Sequence, residues 1–341
     1  MFDGPPAEGG ESCLRRVSIR RGVFSFSSSP FRSHPPLSSP TATAATRPTH
    51  IIHLAAILSA AGERNPGAAL RVNCDGAAAV LAAAAAQGAA VFSPSTIAVY
   101  GRGAHPTDNT PDGAAQRPAT MYGVTKVFQE CLGEYYAASL GVDYRSLRLP
   151  GVVSADAPPG GGTTDWACAV YEAALDGVPY TCALAPDTPL PYAFMPDVLT
   201  GIQALMAAPA DALTRRTYSV SSFSTTPACV AASIRARLPG FEMRYAPDFR
   251  DGIARQWPAS LDDAPARRDW GWSPAVAPDV DAMTSAMLER VASRRARERA
   301  AVVGVVGRKG QARAAAPPPS LGAGPRLAVA AAAAAARGGV M

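Results

Sequence analysis

A phenol and an ammonium one helical turn apart can act together as a proton-transfer pair. The stretch Thr120 to Glu130, TMYGVTKVFQE, places Tyr122 and Lys126 at that spacing. Residues four apart share a helix face, so the two groups can meet. The pattern is common by accident, but this composition makes an accident less expected. The chain has ten tyrosines and only two lysines, Lys126 and Lys309, among 32 basic residues. A chance match is expected about 0.06 times. A tyrosine whose pKa is ordinarily near 10 can serve as a base at neutral pH if a neighbouring cation favours the phenolate. A solvated helical lysine is the plainer alternative.

Such a pair needs a scaffold, and the middle of the chain supplies an alternation. HIIHLAA, residues 50–56, reads as a buried strand. NPGAALRVNCDGAAAVLAAAAAQG reads as a helix, with Pro66 in its first turn and Gly88 ending it. AAVFSPST is the next strand. Pro118 then opens the helix of Tyr122 and Lys126, which Gly141 closes, and VDYRSLRLP is a further strand. Helices near 164–175, 197–206 and 227–238 alternate with strands near 180–184 and RTYSVSS, and a last helix begins near Val280. Strands alternating with helices this long imply a parallel sheet covered on both faces.

Charge divides the chain differently. Residues 1–50 carry six arginines against three acids, and 289–341 carry ten basic residues against two acids. The part between holds 16 basic and 22 acidic residues, so the basic balance belongs to the ends. With no basic patch interleaved with aromatics, nucleic acid is not an expected partner. The six cysteines lie far apart and the four histidines have no ligand spacing, which points to a reduced compartment and no metal. The longest uncharged run, Gly76 to Gly101, fits an Ala-rich helix and a strand better than a membrane span. Between Glu11 and Glu63 there are no acids, six arginines and many serines, which suits a mitochondrial or plastid transit peptide, or low-complexity sequence without a role. Three regions are expected: 1–48 low-complexity, 49–295 folded with a substrate lobe mainly from 151, and 296–341 a disordered basic, Ala-rich tail.

Read in order, HLAA after a strand, PSTIAVYG, MYGVTK on a helix and LRLPGVVS resemble the extended short-chain dehydrogenase/reductase family, which includes the nucleotide-sugar epimerases and dehydratases. Pro150, standing where the sugar-nucleotide enzymes carry asparagine, PGGGTTD and ARRDWGW narrow the resemblance to the L-threonine 3-dehydrogenases of that group, from about Thr49 to Val291. It implies an α/β, doubly wound Rossmann-type fold with a smaller C-terminal substrate lobe. It also implies NAD as cofactor, L-threonine as substrate, 2-amino-3-oxobutanoate as product, and a homodimer built on helices 66–87 and 119–140. Tyr122 is the expected base and Lys126 its electrostatic partner and ribose contact. Thr96 is the donor to the reacting oxygen, or a plain strand residue. Ser59, Thr163 and Thr164 are expected at the amino acid, or as turn hydroxyls. Leu54, Ala55, Ala56, Asn73 and Pro150 are expected beside the cofactor, Asn73 through a structural hydrogen bond. Asp165 is accounted for by its place at a helix start.

The family opens with a strand, a G-x-x-G-x-x-G turn and a helix that hold the cofactor pyrophosphate. Nothing before His50 reads as that unit. The expectation from sequence is therefore an N-terminally truncated sheet with residues 50–56 at an apolar edge, weak dinucleotide binding and a chain that is inactive as it stands. A nucleotide-sugar epimerase or dehydratase, and a non-catalytic remnant, are the alternative functions.

Overall fold

The computed structural model describes residues 48–101, 103, 107–156 and 162–314. Strand β1 (His50–Ile52) leads through a loop, residues 53–58, to α1 (Ser59–Arg64). A long helix follows as α2 (Pro66–Leu70), a π-helical turn (Arg71–Asp75) and α3 (Gly76–Gln87). The expected start and stop are both present. The Asn65 side chain accepts from the Ala68 N–H and Pro66 occupies the first turn, while Gly88 ends the helix at φ 65°. The π-turn was not foreseen; it inserts extra backbone and turns Asn73 and Cys74 inward.

Next come β2 (Ala90–Phe92), β3 (Ser95–Thr96) and a 3₁₀ turn, Ile97–Val99. Helix α4 (Met121–Leu140) carries Tyr122 and Lys126, is capped by the Thr120 side chain, and ends at Gly141 with φ 67°. Strand β4 (Tyr144–Leu149) is the centre of the main sheet, which runs β1-β2-β4-β3 with β8 (Thr217–Ser219) on the other side of β4. Every pair in it is parallel. β2 and β3 lie in one line along β4, pairing Val91 with Tyr144 and Thr96 with Leu149. The break between them falls at Ser93-Pro94, which leaves two carbonyl groups free to accept from side chains.

Small residues let α4 lie close to this sheet. A Cβ on Gly123 would collide with the Ala98 carbonyl, and one on Gly133 with the Tyr144 ring. Pro150 cannot continue the β4 ladder, and after it the chain enters β5 (Gly151–Val153) of a second lobe. That lobe contains α5 (Trp166–Asp176), β6 (Tyr180–Cys182), β7 (Leu190–Phe194), β9 (Phe223–Thr225), α7 (Pro227–Arg237), β10 (Met243–Tyr245) and α8 (Phe249–Ala254). β5-β7-β9 form one small sheet and β10-β6 another. Helices α6 (Met195–Ala207) and α9 (Ala264–Trp270) cover β8 and its neighbours. The result is a doubly wound Rossmann-type sheet with a smaller C-terminal lobe.

Two expectations change, and one alternative is set aside. The first strand stops at Ile52, because residues 53–58 leave the sheet for a loop that Asn73 holds. α10 (Val280–Ala314) continues past the boundary expected at 295, where Arg294 and Arg295 pair with Glu172 and Arg295 also with Asp176, and alanine and arginine favour the helix beyond. The helix Pro66–Gln87 is apolar and long enough to cross a membrane by composition. Here it packs on α4 through Ala69, Ala77, Leu81 and Ala84. The targeting segment and the phosphate-turn expectation fall on residues 1–48, of which 1–47 lie outside the described residues, as do residues 315–341 of the tail.

Candidate active site

Tyr122, Lys126 and Thr96 meet where α4 begins against the end of β3. Thr120 accepts from the Gly123 N–H at 3.1 Å, and Glu63 of α1 accepts from the Met121 N–H at 2.6 Å, so the first turn of α4 is fixed from two sides. The Tyr122 hydroxyl faces the Thr96 side chain, whose Oγ1 also accepts from Ala98 N at 3.2 Å. The Lys126 ammonium lies 5.8 Å from the Tyr122 ring centroid. Its Nζ donates to the Pro94 carbonyl at 2.6 Å and to Gln129 Oε1 at 3.0 Å.

Burial sets the basicities. It pushes Tyr122 up to about 12, against the Thr96 hydrogen bond, which favours the phenolate. It brings Lys126 down to about 8, against the attraction of Glu130. His53, at the mouth of β1, is brought down to about 4 by burial and by the Lys126 charge, and its Nε2 is buried without a hydrogen-bond partner. Lys126 was expected to depress the Tyr122 pKa; instead burial raises it, and the opposing influence is the Thr96 hydrogen bond.

Ser59 and Thr163, 104 residues apart, meet at 3.3 Å between their hydroxyl oxygens, and both are buried. Thr164 follows and packs its methyl toward Gly151. Asp165 accepts from the Gly162 N–H at 2.8 Å, so it also pins the loop that carries Thr163. Asn73 Oδ1 accepts from Ile57 N at 2.8 Å, while its Nδ2 donates to Ile57 O and to Thr125 Oγ1. Its amide is thus committed to protein, and it ties the 53–58 loop to α4. In that loop Leu54 and Ala55 are exposed and Ala56 half-buried, while Pro150 is buried at the exit of β4.

A buried charge network escaped the sequence reading. Arg148 of β4 holds the Glu130 carboxylate through Nε and Nη2, at 3.0 and 2.8 Å. Ser95 donates to the same carboxylate, as does Gln116 at 2.6 Å. Arg148 also reaches Tyr100 and Asp112, and Asp112 pairs with Arg215 at 2.7 Å. Burial alone would lower the Arg148 pKa, but the hydrogen bonds and charge of Glu130 carry it upward. The one signal in sequence was Glu130 at i+4 from Lys126.

A model of the NAD dependent epimerase/dehydratase family matches residues 38–221. The chain belongs to that family. It is 45% identical over 227 residues, covering 66% of this chain and 61% of the relative, to the mitochondrial L-threonine 3-dehydrogenase of Sus scrofa. Among solved structures, the L-threonine dehydrogenase of Phytophthora infestans superposes with a TM-score of 0.70 at 48% identity, covering 72% of this chain and 79% of that one. The holo form of the GalE-like L-threonine dehydrogenase of Cupriavidus necator gives 0.71 at 43% identity, over 73% and 80%. The chain spans about three-fifths of the length of the mammalian relatives it matches. Within this epimerase/dehydratase family, the fold expected from the sequence motifs is the fold observed.

Proposed function

We propose that this protein serves the NAD-dependent oxidation of the β-hydroxyl of L-threonine to 2-amino-3-oxobutanoate, a step of threonine catabolism. The observation that carries this reading is the meeting of Tyr122, Thr96 and Lys126, with α1, which carries Ser59 of the Ser59–Thr163 pair, packed against Tyr122 at Gly62. Bound NAD supplies the hydride acceptor. Tyr122 takes the hydroxyl proton, Thr96 orients that oxygen, and Lys126 keeps positive charge beside the phenolate. Ser59, Thr163 and Thr164 hold the amino-acid end. The chain's own groups suit a nucleoside ribose: Lys126 has a third N–H beyond the two it commits to protein, and His53 presents an unpartnered Nε2. The 53–58 loop lies open beside them.

The exposed stripe Val124, Phe128 and Tyr135 on α4, with exposed Leu70 on α2, supports a homodimer through these helices. Mitochondrial residence is proposed on the likeness to the Sus scrofa enzyme and the acid-free, Arg-rich stretch between Glu11 and Glu63.

The test is NADH formation followed at 340 nm on addition of L-threonine. It is run on residues 1–341 and on the same chain with a glycine-rich strand–turn–helix unit joined ahead of residue 48. Threonine-dependent turnover that Tyr122→Phe removes supports the proposal, and turnover unaffected by Tyr122→Phe overturns it.

A second reading has its own observation. A cleft of about 440 Å³ beside the Thr163 loop is lined by Arg64, Asp165, Tyr180, Phe249 and Arg250. Two guanidinium groups and two aromatic rings suit a diphosphate and a nucleobase of a nucleotide sugar. Binding of a UDP-sugar with no response to L-threonine would favour that reading.

A further inference from the structure

The ammonium of Lys126 is almost wholly enclosed, with 3% of the residue exposed, yet among the described residues it forms no ion pair. The nearest carboxylate along its helix, Glu130, is taken up by Arg148, Ser95 and Gln116. Two neutral oxygens hold the charge instead: the Pro94 carbonyl, set free by the break between β2 and β3, and Gln129 Oε1. Gln129 is itself 2% exposed, and its Nε2 donates to the same Pro94 carbonyl at 3.2 Å and toward Ser93 O at 3.5 Å. The orientation of its amide is therefore forced. Only Oε1 can face an ammonium that has no lone pair to offer, and only the NH₂ can face the carbonyls.

We propose that Gln129 is a positioning residue that holds the Lys126 ammonium in the site while leaving its charge unneutralised, so that the charge stays available to Tyr122. The catalytic part of this inference rests on the dehydrogenase reading above; the hold on Lys126 does not. A carboxylate at 129 would pin the lysine equally well but would cancel its field. An apolar side chain would leave a buried ammonium with one acceptor fewer. A glutamine avoids both.

The charged and titratable groups around Lys126 are few. His53 faces it from the loop after β1, and Tyr122 and Glu130 share its helix. From β4, Tyr144 lies against Gln129 and Arg148 holds Glu130. The Tyr144 hydroxyl faces the Gln129 side chain, so Tyr144→Phe in the same backgrounds separates its contribution from that of the amide.

The sequence provides an assay that needs no turnover. With two lysines in the chain, ¹³Cε-lysine labelling gives two signals, and Lys309→Arg assigns them. In residues 1–341, Gln129→Met is expected to make Lys126 about tenfold more acidic, and Gln129→Glu about tenfold less acidic, with Lys309 unmoved. Gln129→Glu matches the size of the original side chain and remains decisive even if Gln129→Met does not fold. A Lys126 signal that titrates at the parent's midpoint in Gln129→Glu overturns the proposal.

Kinetics supply the catalytic half. Gln129→Met should lower kcat about tenfold with the KM for threonine held within about twofold. Gln129→Glu weakens the field on Tyr122, so the acid limb of its kcat/KM profile should move to higher pH. Profiles superimposable on the parent's would overturn the catalytic role. A parent that forms no NADH from threonine even with the strand–turn–helix unit joined ahead of residue 48 counts against the dehydrogenase reading, and the lysine titration then judges Gln129 alone.

Discussion

Two buried cations lie at the same helix–sheet junction, Lys126 on α4 and Arg148 on β4, and the protein treats them in opposite ways. Lys126 is surrounded by neutral oxygens and loses basicity, down to about 8. Arg148 is clamped by Glu130 and gains it. Burial penalises both charges; a bidentate carboxylate compensates one and not the other. A cation that must influence a neighbour is best left unpaired, whereas a cation that must fix a strand is best paired. The Arg148 region holds β4, Tyr100 and the Asp112 loop in register. On the proposed reading, the Lys126 region is left free to act on Tyr122.

The sharpest way to break this contrast is to remove Tyr122, the group that Lys126 is proposed to serve. Tyr122→Phe should cost about a thousandfold in kcat while leaving the melting temperature near the parent's, measured by NADH formation and by calorimetry. The opposite signature belongs to the second region. Glu130→Ala leaves Arg148 buried without its carboxylate and should cost about 3–5 kcal/mol of stability, read from denaturant unfolding.

A titration separates the two cations more finely. Lys126 in the folded protein has its pKa depressed from 10.5 to about 8, so between those values the unfolded chain binds more protons than the folded one. Stability should therefore rise from pH 8 toward pH 10, before the raised tyrosines act in the other direction. Lys126→Met should flatten that rise. His53 gives the same sign at lower pH. With its pKa brought from 6.5 to about 4, stability should fall as pH drops through that window, and His53→Phe should flatten the fall. The smallest effect is expected at the substrate side. Ser59→Ala removes one hydroxyl partner of Thr163 and should raise the KM for threonine a few-fold, with kcat little changed.

Much of the scaffold was legible because it depends on local rules. Pro66, Gly88 and Gly141 mark helix ends through proline's fixed φ and glycine's access to positive φ, and the structure has 65° and 67° at the two glycines. The alternation of apolar strands with helices implied the parallel sheet. Harder to foresee were the π-turn, which places Asn73 across the 53–58 loop and α4, and the early end of β1. Both depend on partners 16 and 52 residues away rather than on neighbours in the chain.

The sequence by itself determined that Tyr122 and Lys126 share a helix face, since the α-helix repeat alone brings residues four apart together. It also determined, through the order of its motifs, the family to which the chain belongs. Tertiary structure decided what that pair can do. Burial raises the phenol and lowers the ammonium, the gap at Ser93-Pro94 provides a carbonyl for Lys126, and strand register brings Arg148 to Glu130 and takes that carboxylate out of reach. Desolvation and charge pairing depend on what surrounds a group in space, and chain order does not encode that directly.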